Sequence, residues 1–254
     1  MLKQNYLSRT ELLIGKEGID KLKKSKVIVF GVGGVGSYTI EALARSGVGE
    51  ITLIDDDTVC LTNLNRQIHA TYKTISRPKV EVMKERILSI NKDCNVIDKR
   101  ILATNENIKE LVDKEADYIV DAIDTVSAKL SIAEYCYNNG INIISCMGTG
   151  NKFDPTQFKI ADIYDTKVCP LAKVMRHELK KRNVKKLKVL YSEEIPVKPY
   201  TEDVVTCKEA CVCIGESSRK CANKRQIPGS MSFVPPVAGM IIAGEVIKSI
   251  IGMK

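Results

Sequence analysis

The chain has 254 residues, 44% of them hydrophobic and 28% charged, with a formal net charge of +8. That length suits one large α/β domain or at most two small ones, and the composition supports a packed core, which excludes a disordered or fibrous chain. The start, MLKQNYLSRTELLIG, has neither the basic segment and long apolar run nor the cleavage site of a secretory signal, so the nine cysteines read as free thiols of a cytoplasmic protein rather than as a disulfide framework.

Residues 1–25 are predicted to form an N-terminal arm and helix. Apolar runs at Val27 to Phe30, Ile51 to Ile54, Val96 to Ile101, Tyr118 to Ile123 and Ile141 to Cys146 then alternate with helical patterns. The helices are predicted at Ser37 to Ser46, Pro78 to Ile90, Asn107 to Lys114 and Ser127 to Asn139. This βαβ rhythm predicts an α/β fold, a Rossmann-like mostly parallel sheet with helices on both faces. Gly47 and Gly140 stand where helix C-caps are expected, and Pro78 at a first helical position.

Residues 26–150 make the nucleotide-binding core of this single domain, and 151–254 extend its sheet. NKFDPTQFKIADI reads as a loop and an exposed strand, Leu171 to Arg182 as a basic helix, and LKVLYSEEIPV as a further strand. Thr201 to Gln226, polar and without periodicity, reads as a long cysteine-bearing crossover loop. VPPVAGMIIAGEVIKSIIGM is an apolar helix interrupted by Glu245 and Lys248. It falls short of about 18 uninterrupted apolar residues and is predicted to be a core or dimer-interface helix, with no transmembrane span.

The stretch KVIVFGVGGVGSYTIEALARSGVGEITLIDDD carries the chemistry. A strand, the glycines Gly31, Gly33, Gly34 and Gly36, and a helix make a cradle in which backbone N–H groups meet phosphates. Asp55, 19 residues after Gly36 and with Asp57 beside it, ends the next strand, where a carboxylate accepts hydrogen bonds from ribose hydroxyls. These features suit NAD and ATP equally. The residues downstream of them do not suit a dehydrogenase: Asn63, Arg66 and Gln67 come just beyond the ribose position, and Lys79 opens the next helix. Cations aimed at the phosphate end imply that the phosphates react. Asp121 and Asp124 end the fourth strand, where a carboxylate can hold magnesium against a triphosphate.

The motifs GVGGVGS, LIDDDTVCLTNLNRQ, RPKVE and DAIDT, in this order and spacing, resemble the ThiF/MoeB group, relatives of the ubiquitin-activating enzymes. The resemblance implies activation of a carboxylate with ATP and Mg to give an acyl-adenylate and pyrophosphate. It places the glycine loop on phosphate, Asp55 on ribose, Asn63, Arg66 and Lys79 on the triphosphate, and Asp124 on the metal. It also implies an arginine lent by a partner subunit, at the position of Arg9, and hence a homodimer. NRQIHA, VEVMKERI, DPTQFKIADI, CPLAKVMRHELKKR and YSEEIPVKP look like the branch that dehydrates threonylcarbamoyladenosine in tRNA. In that branch the carbamoyl group attacks the adenylate of its own threonyl carboxylate, closing a ring with loss of AMP.

Lys173 to Lys188 carries eight Lys or Arg against the single Glu178, which suits a polyanion such as tRNA or simply a solvated helix face. Several relatives of the group hold zinc on paired C-x-x-C motifs. Here Cys207, Cys211, Cys213 and Cys221 are spaced differently; the readings are inert loop thiols, a zinc or other soft-metal site, or a redox or sulfur-handling thiol, the last with a sulfur-transfer protein as partner. His69 reads as a structural or substrate-shaping residue rather than a general base. Beside the dehydratase stand three alternatives: adenylation of a ubiquitin-like sulfur carrier, an NAD-dependent oxidoreductase, and a tRNA-binding module without catalysis.

Overall fold

The structure, a computed structural model, describes residues 4–200, 204 and 227–253. The cysteine cluster at 207, 211, 213 and 221 and nearly all of the expected crossover loop lie outside these residues.

Seven strands form one sheet. They are β1 (Lys26–Phe30), β2 (Glu50–Ile54), β3 (Asn95–Lys99), β4 (Tyr118–Asp121), β5 (Ile143–Cys146), β6 (Phe158–Asp162) and β7 (Lys188–Ser192). Their order is β3-β2-β1-β4-β5-β7-β6. All pairings are parallel except β6 with β7. β1 through β5 and β7 are parallel because each connection crosses the sheet, most of them through a helix, and crossovers return the chain in the same direction. The helices are α1 (Ser8–Lys24), α2 (Gly34–Arg45), α3 (Lys79–Ile90), the short α4 (Ile108–Leu111), α5 (Val126–Asn139), α6 (Pro170–Lys181) and α7 (Val234–Ile251).

Several strands end one or two residues from their sequence expectation, β4 at Asp121 and β5 from Ile143 among them, and three helix boundaries move for a visible reason. α2 begins at Gly34 rather than Ser37, because the glycine loop winds directly into a helical turn and the Ser37 N–H already donates to the Gly33 carbonyl at 3.0 Å. Pro78 caps α3 from outside in an extended conformation, ψ 131°, instead of opening it. The predicted helix at Asn107 to Lys114 shrinks to a single turn, its apolar Ile108 and Leu111 buried against the sheet. Gly140 caps α5 in the left-handed region as expected, φ 67°.

Sheet order reverses between β2-β1 and β4-β5, and this switch opens a crevice at the carboxyl edge, where ligands of such sheets sit. The main core lies on one face, between β1, β2 and β4 and the helices α2, α3 and α7. α2 and α7 approach closely: a side-chain carbon on Gly239 would stand 2.4 Å from the Val35 carbonyl oxygen, and Thr39 donates to the Gly239 carbonyl at 3.1 Å. α7 is the one helix among the described residues long and apolar enough to cross a membrane, mean hydropathy 1.6. Here its buried face packs along α2, and its Glu245 is paired with Lys188 of β7 at 2.7 Å.

Candidate functional site

The glycine loop turns on Gly31, at φ +90°, whose N–H donates to Ile54 at the end of β2. A side-chain carbon on Gly36 would meet the Gly31 carbonyl oxygen at 1.8 Å, so only glycine lets α2 start this close to the strand. Gly33 caps α2, and a carbon there would meet nothing within 4 Å. The cradle is therefore packed tight behind Gly36 and open at Gly33, the side on which the first-turn N–H groups lie open to an anion.

Asp55 is tied to this loop. It accepts from the Val32 N–H at 2.7 Å and from the Asp57 N–H at 2.9 Å. Burial pushes its carboxyl above the ordinary value, against the pull of Lys79. The Lys79 ammonium lies 2.9 Å from Asp57 and 3.9 Å from Asp55, with only 7% of its side chain exposed. Burial opposes its charge, but the two carboxylates outweigh burial and hold its pKa above the ordinary value. A lysine stored beside carboxylates keeps its proton and gives up Coulomb attraction only when another anion replaces them. Asp55, Asp56 and Asp57 also bring carboxylate oxygens within 4.8 Å of one another, but Asp55 is engaged by backbone N–H groups and Asp57 by Lys79.

Arg66 lies across the loop, its Cγ 3.5 Å from where a side chain on Gly34 would begin. Its guanidinium donates to the Thr62 carbonyl at 2.7 Å and to Asn65 Oδ1 at 2.9 Å. Asn63 is buried, and its Oδ1 accepts from the Cys60 N–H at 3.0 Å, which folds the segment that presents Arg66. Gln67 and His69 are buried behind it. Gln67 Oε1 and both ring nitrogens of His69 have no hydrogen-bond partner among the described residues. Burial, with Lys79 and Arg86 nearby, lowers the His69 pKa to about 3, so the ring is neutral, in keeping with a structural role.

At the end of β4 the two aspartates separate. Asp121 was expected at the ligand edge with Asp124. Instead it forms an ion pair with Lys129 of α5 at 2.9 Å, both side chains fully buried, and accepts from Ser145 at 2.6 Å. Strand alternation turns its side chain into the protein, where Lys129 also donates to the Cys146 carbonyl at 2.8 Å. Asp124 is exposed on the loop after β4. That loop starts against the cradle, since a carbon on Gly31 would lie 2.7 Å from the Ala122 carbonyl oxygen.

Sequence reasoning missed one wall. Pro235, at the start of α7, lies 3.0 Å from the position of a side-chain carbon on Gly34, and Asn65 donates to the Ser230 carbonyl at 2.9 Å. The apolar VPPVAGM was legible as a helix start, but not its destination.

Arg9 is not at this crevice. It is exposed on α1, two residues beyond Leu7, which packs on Gly47 at the C-terminal end of α2. A 12-residue helix spans about 18 Å, so α2 separates Leu7 from the glycine loop of the same chain. The basic stretch is half engaged internally: Arg176 binds Thr166, Lys181 binds Glu178, Arg182 binds Glu134 and Lys188 binds Glu245. Lys173, Lys180, Lys185 and Lys186 are exposed and make no ion pair among the described residues.

Comparison with known proteins places these features in context. The model of the ThiF family matches residues 7–254. The chain is 46% identical over 248 residues to the tRNA threonylcarbamoyladenosine dehydratase of Bacillus subtilis, covering 97% of this chain and 95% of that one. It is 36% identical over 247 residues to the enzyme of the same name from Escherichia coli, covering 94% and 91%. Among solved structures, the Escherichia coli dehydratase TcdA in complex with ATP superposes with a TM-score of 0.83 at 31% identity, covering 97% of this chain and 94% of that one.

Proposed function

The chain belongs to the ThiF family, and on that premise we propose that it is an ATP-dependent dehydratase that adenylates and cyclises threonylcarbamoyladenosine in tRNA. The observation that carries this reading is the likeness to dehydratases of that name over nearly the whole length of both chains. An ATP complex of one such enzyme shares this fold. The cradle fits ATP on its own terms: it is open at Gly33, closed behind Gly36, and flanked by a carboxylate for ribose and by cations.

In the first step a threonyl carboxylate oxygen bonds to the α-phosphorus of ATP and the bond to pyrophosphate breaks. In the second the carbamoyl group attacks the activated carbonyl carbon, the bond to AMP breaks, and the ring closes. The nucleoside loses one water and ATP ends as AMP and pyrophosphate. The first-turn N–H groups at Gly33, Gly34 and Gly36 hold phosphate oxygens, with Gly31 setting the turn, and Asp55 takes the ribose hydroxyls, Asp57 beside it. Arg66, with Asn63 and Gln67 shaping its segment, and Lys79 neutralise charge on the triphosphate as the leaving group departs.

Asp124 offers the exposed oxygen ligand that a magnesium ion prefers; bound there, the ion would draw charge from the phosphates. The attack is intramolecular, so effective molarity replaces a covalent enzyme intermediate. Arg9 sits on the wrong end of α2 for its own crevice and on an exposed helix, which supports its supply to a second copy in a homodimer. The exposed lysines 173, 180, 185 and 186 are offered to tRNA phosphates, and the work is cytoplasmic, where tRNA is found.

Incubating the protein with ATP and tRNA carrying threonylcarbamoyladenosine, then measuring the nucleoside mass, tests the reading. Loss of one water is expected. An unchanged mass overturns it, and pyrophosphate exchange that needs a ubiquitin-like carrier instead of tRNA would put a sulfur-carrier substrate in its place.

A further inference from the structure

The chain has four phenylalanines and no tryptophan. Phe30 is fully buried and Phe158 packs against the core. The other two, Phe153 and Phe233, are instead exposed, at 60% and 37%, and stand together edge to face with ring centroids 5.5 Å apart. An exposed aromatic pair forfeits burial that the core would reward, and such a surface marks contact with something else.

The pair is fixed to the rim of the crevice. Phe233 comes after Ser230, whose carbonyl is held by Asn65, and precedes Pro235, which abuts Gly34. On the other side, Asn151 and Gly229 exchange hydrogen bonds of 2.8 and 2.7 Å, and the Phe153 N–H donates to Glu194 at 2.7 Å. Both rings thus ride on segments pinned to the residues that carry Arg66 and the cradle. The carboxylates beside them are turned onto local donors: Glu194 onto the N–H groups of Phe153 and Asp154, and Asp154 onto Thr156 and Gln157.

We propose that Phe153, backed by Phe233, is a stacking platform for an unpaired base of the RNA loop that carries the reacting nucleoside. This inference rests on the proposed tRNA substrate. A nucleoside whose threonyl carboxylate reaches the cradle leaves its neighbours in the loop lying on the rim, and unpaired bases are gripped by stacking on aromatic faces. Each base has an apolar face, which an exposed aromatic ring can cover. The platform also supplies sequence-tolerant grip close to the reaction, while the exposed lysines 173, 180, 185 and 186 lie on other segments and offer charge to phosphates alone.

The test uses the full-length protein and a fluorescently labelled anticodon stem-loop RNA, read by anisotropy, with the variants Phe153→Ala and Phe153→Trp. Removing one stacked base costs about 1–3 kcal/mol, so F153A is expected to weaken RNA binding about tenfold. F153W restores it, the affinity for ATP is unchanged, and the slope of log Kd against log salt stays the same because no phosphate contact is lost. Equal RNA affinity for F153A and the parent overturns the proposal, as does a shift of F153A from dimer to monomer in sedimentation, which would assign the rings to a second copy. Binding is read without turnover, so a protein that fails to dehydrate the nucleoside but loses RNA affinity in F153A sinks the dehydratase reading and keeps the platform.

Discussion

Asp121 and Lys129 pair at 2.9 Å with no exposed side-chain surface, beneath the loop that presents Asp124. A buried charge stripped of its partner is among the most damaging changes a protein can suffer, at about 3–5 kcal/mol. Lys129→Met is therefore expected to lower the urea midpoint by that equivalent. Replacing both residues by apolar ones should harm stability less than either single change, because no orphan charge remains. A single variant as stable as the parent would show that the pair is not a structural requirement.

Gly33 and Gly36 should respond differently to the same added methyl. Gly36→Ala forces a carbon to 1.8 Å from the Gly31 carbonyl and must distort the loop, so loss of stability is expected in thermal melts. Gly33→Ala meets no protein atom within 4 Å. It should fold normally yet weaken ATP binding by about tenfold, equivalent to about 1.4 kcal/mol, measured by equilibrium dialysis. Normal ATP affinity in G33A would move the phosphates elsewhere.

Asp124→Ala removes an exposed carboxylate, and a thermal melt of the variant separates any loss of folding from loss of function. Turnover of the tRNA nucleoside should fall by at least about a hundredfold if the carboxylate holds a phosphate-bound cation. Titrating magnesium into the variant should give no recovery at concentrations that saturate the parent protein. Near-parental turnover would take Asp124 out of the site.

His69 sets a pH dependence whose sign comes from its environment. Burial, Lys79 and Arg86 lower its folded pKa to about 3 from an ordinary 6.5, so below the ordinary value the unfolded chain takes up a proton that the fold refuses. Stability is full above that value and is lost as pH falls from about 6.5 toward 3, by about 2 kcal/mol at pH 5. His69→Gln should flatten this part of the profile in urea titrations at several pH values. An equally steep fall in the variant would assign the loss to other groups.

Mixing Arg9→Ala with Asp124→Ala tests whether one copy completes the other. If Arg9 acts across a dimer, mixed dimers hold one intact site, and random exchange restores about a quarter of the parental activity. Two variants that stay as inactive together as apart would return Arg9 to an ordinary surface role.

Much of the frame could be read from the chain because the signals are local. Val27 to Phe30 and Ile51 to Ile54 are apolar runs bounded by turn residues, and each became a strand within a residue of its expected ends. The aspartates of DAIDT could not be told apart, because their fates depend on which way one short strand faces and on Lys129, eight residues on in another element. Gly239 looked like any small helix residue until α2 lay against it, and Phe153 looked like a loop residue until Phe233 arrived from 80 positions away. Long-range choices of partner leave little trace in spacing.

The hydrogen bond from Thr39 to the Gly239 carbonyl spans 200 positions of sequence. The first wall of the cradle is thus translated long before its last. Until α7 has left the ribosome, the glycine loop lacks Pro235 and α2 lacks its neighbour, leaving an apolar flank bare. Contacts this distant slow folding. A nascent chain stalled before Val234 would therefore present this flank to chaperones and proteases, with ATP no remedy, since the pocket it would rescue is still missing a side.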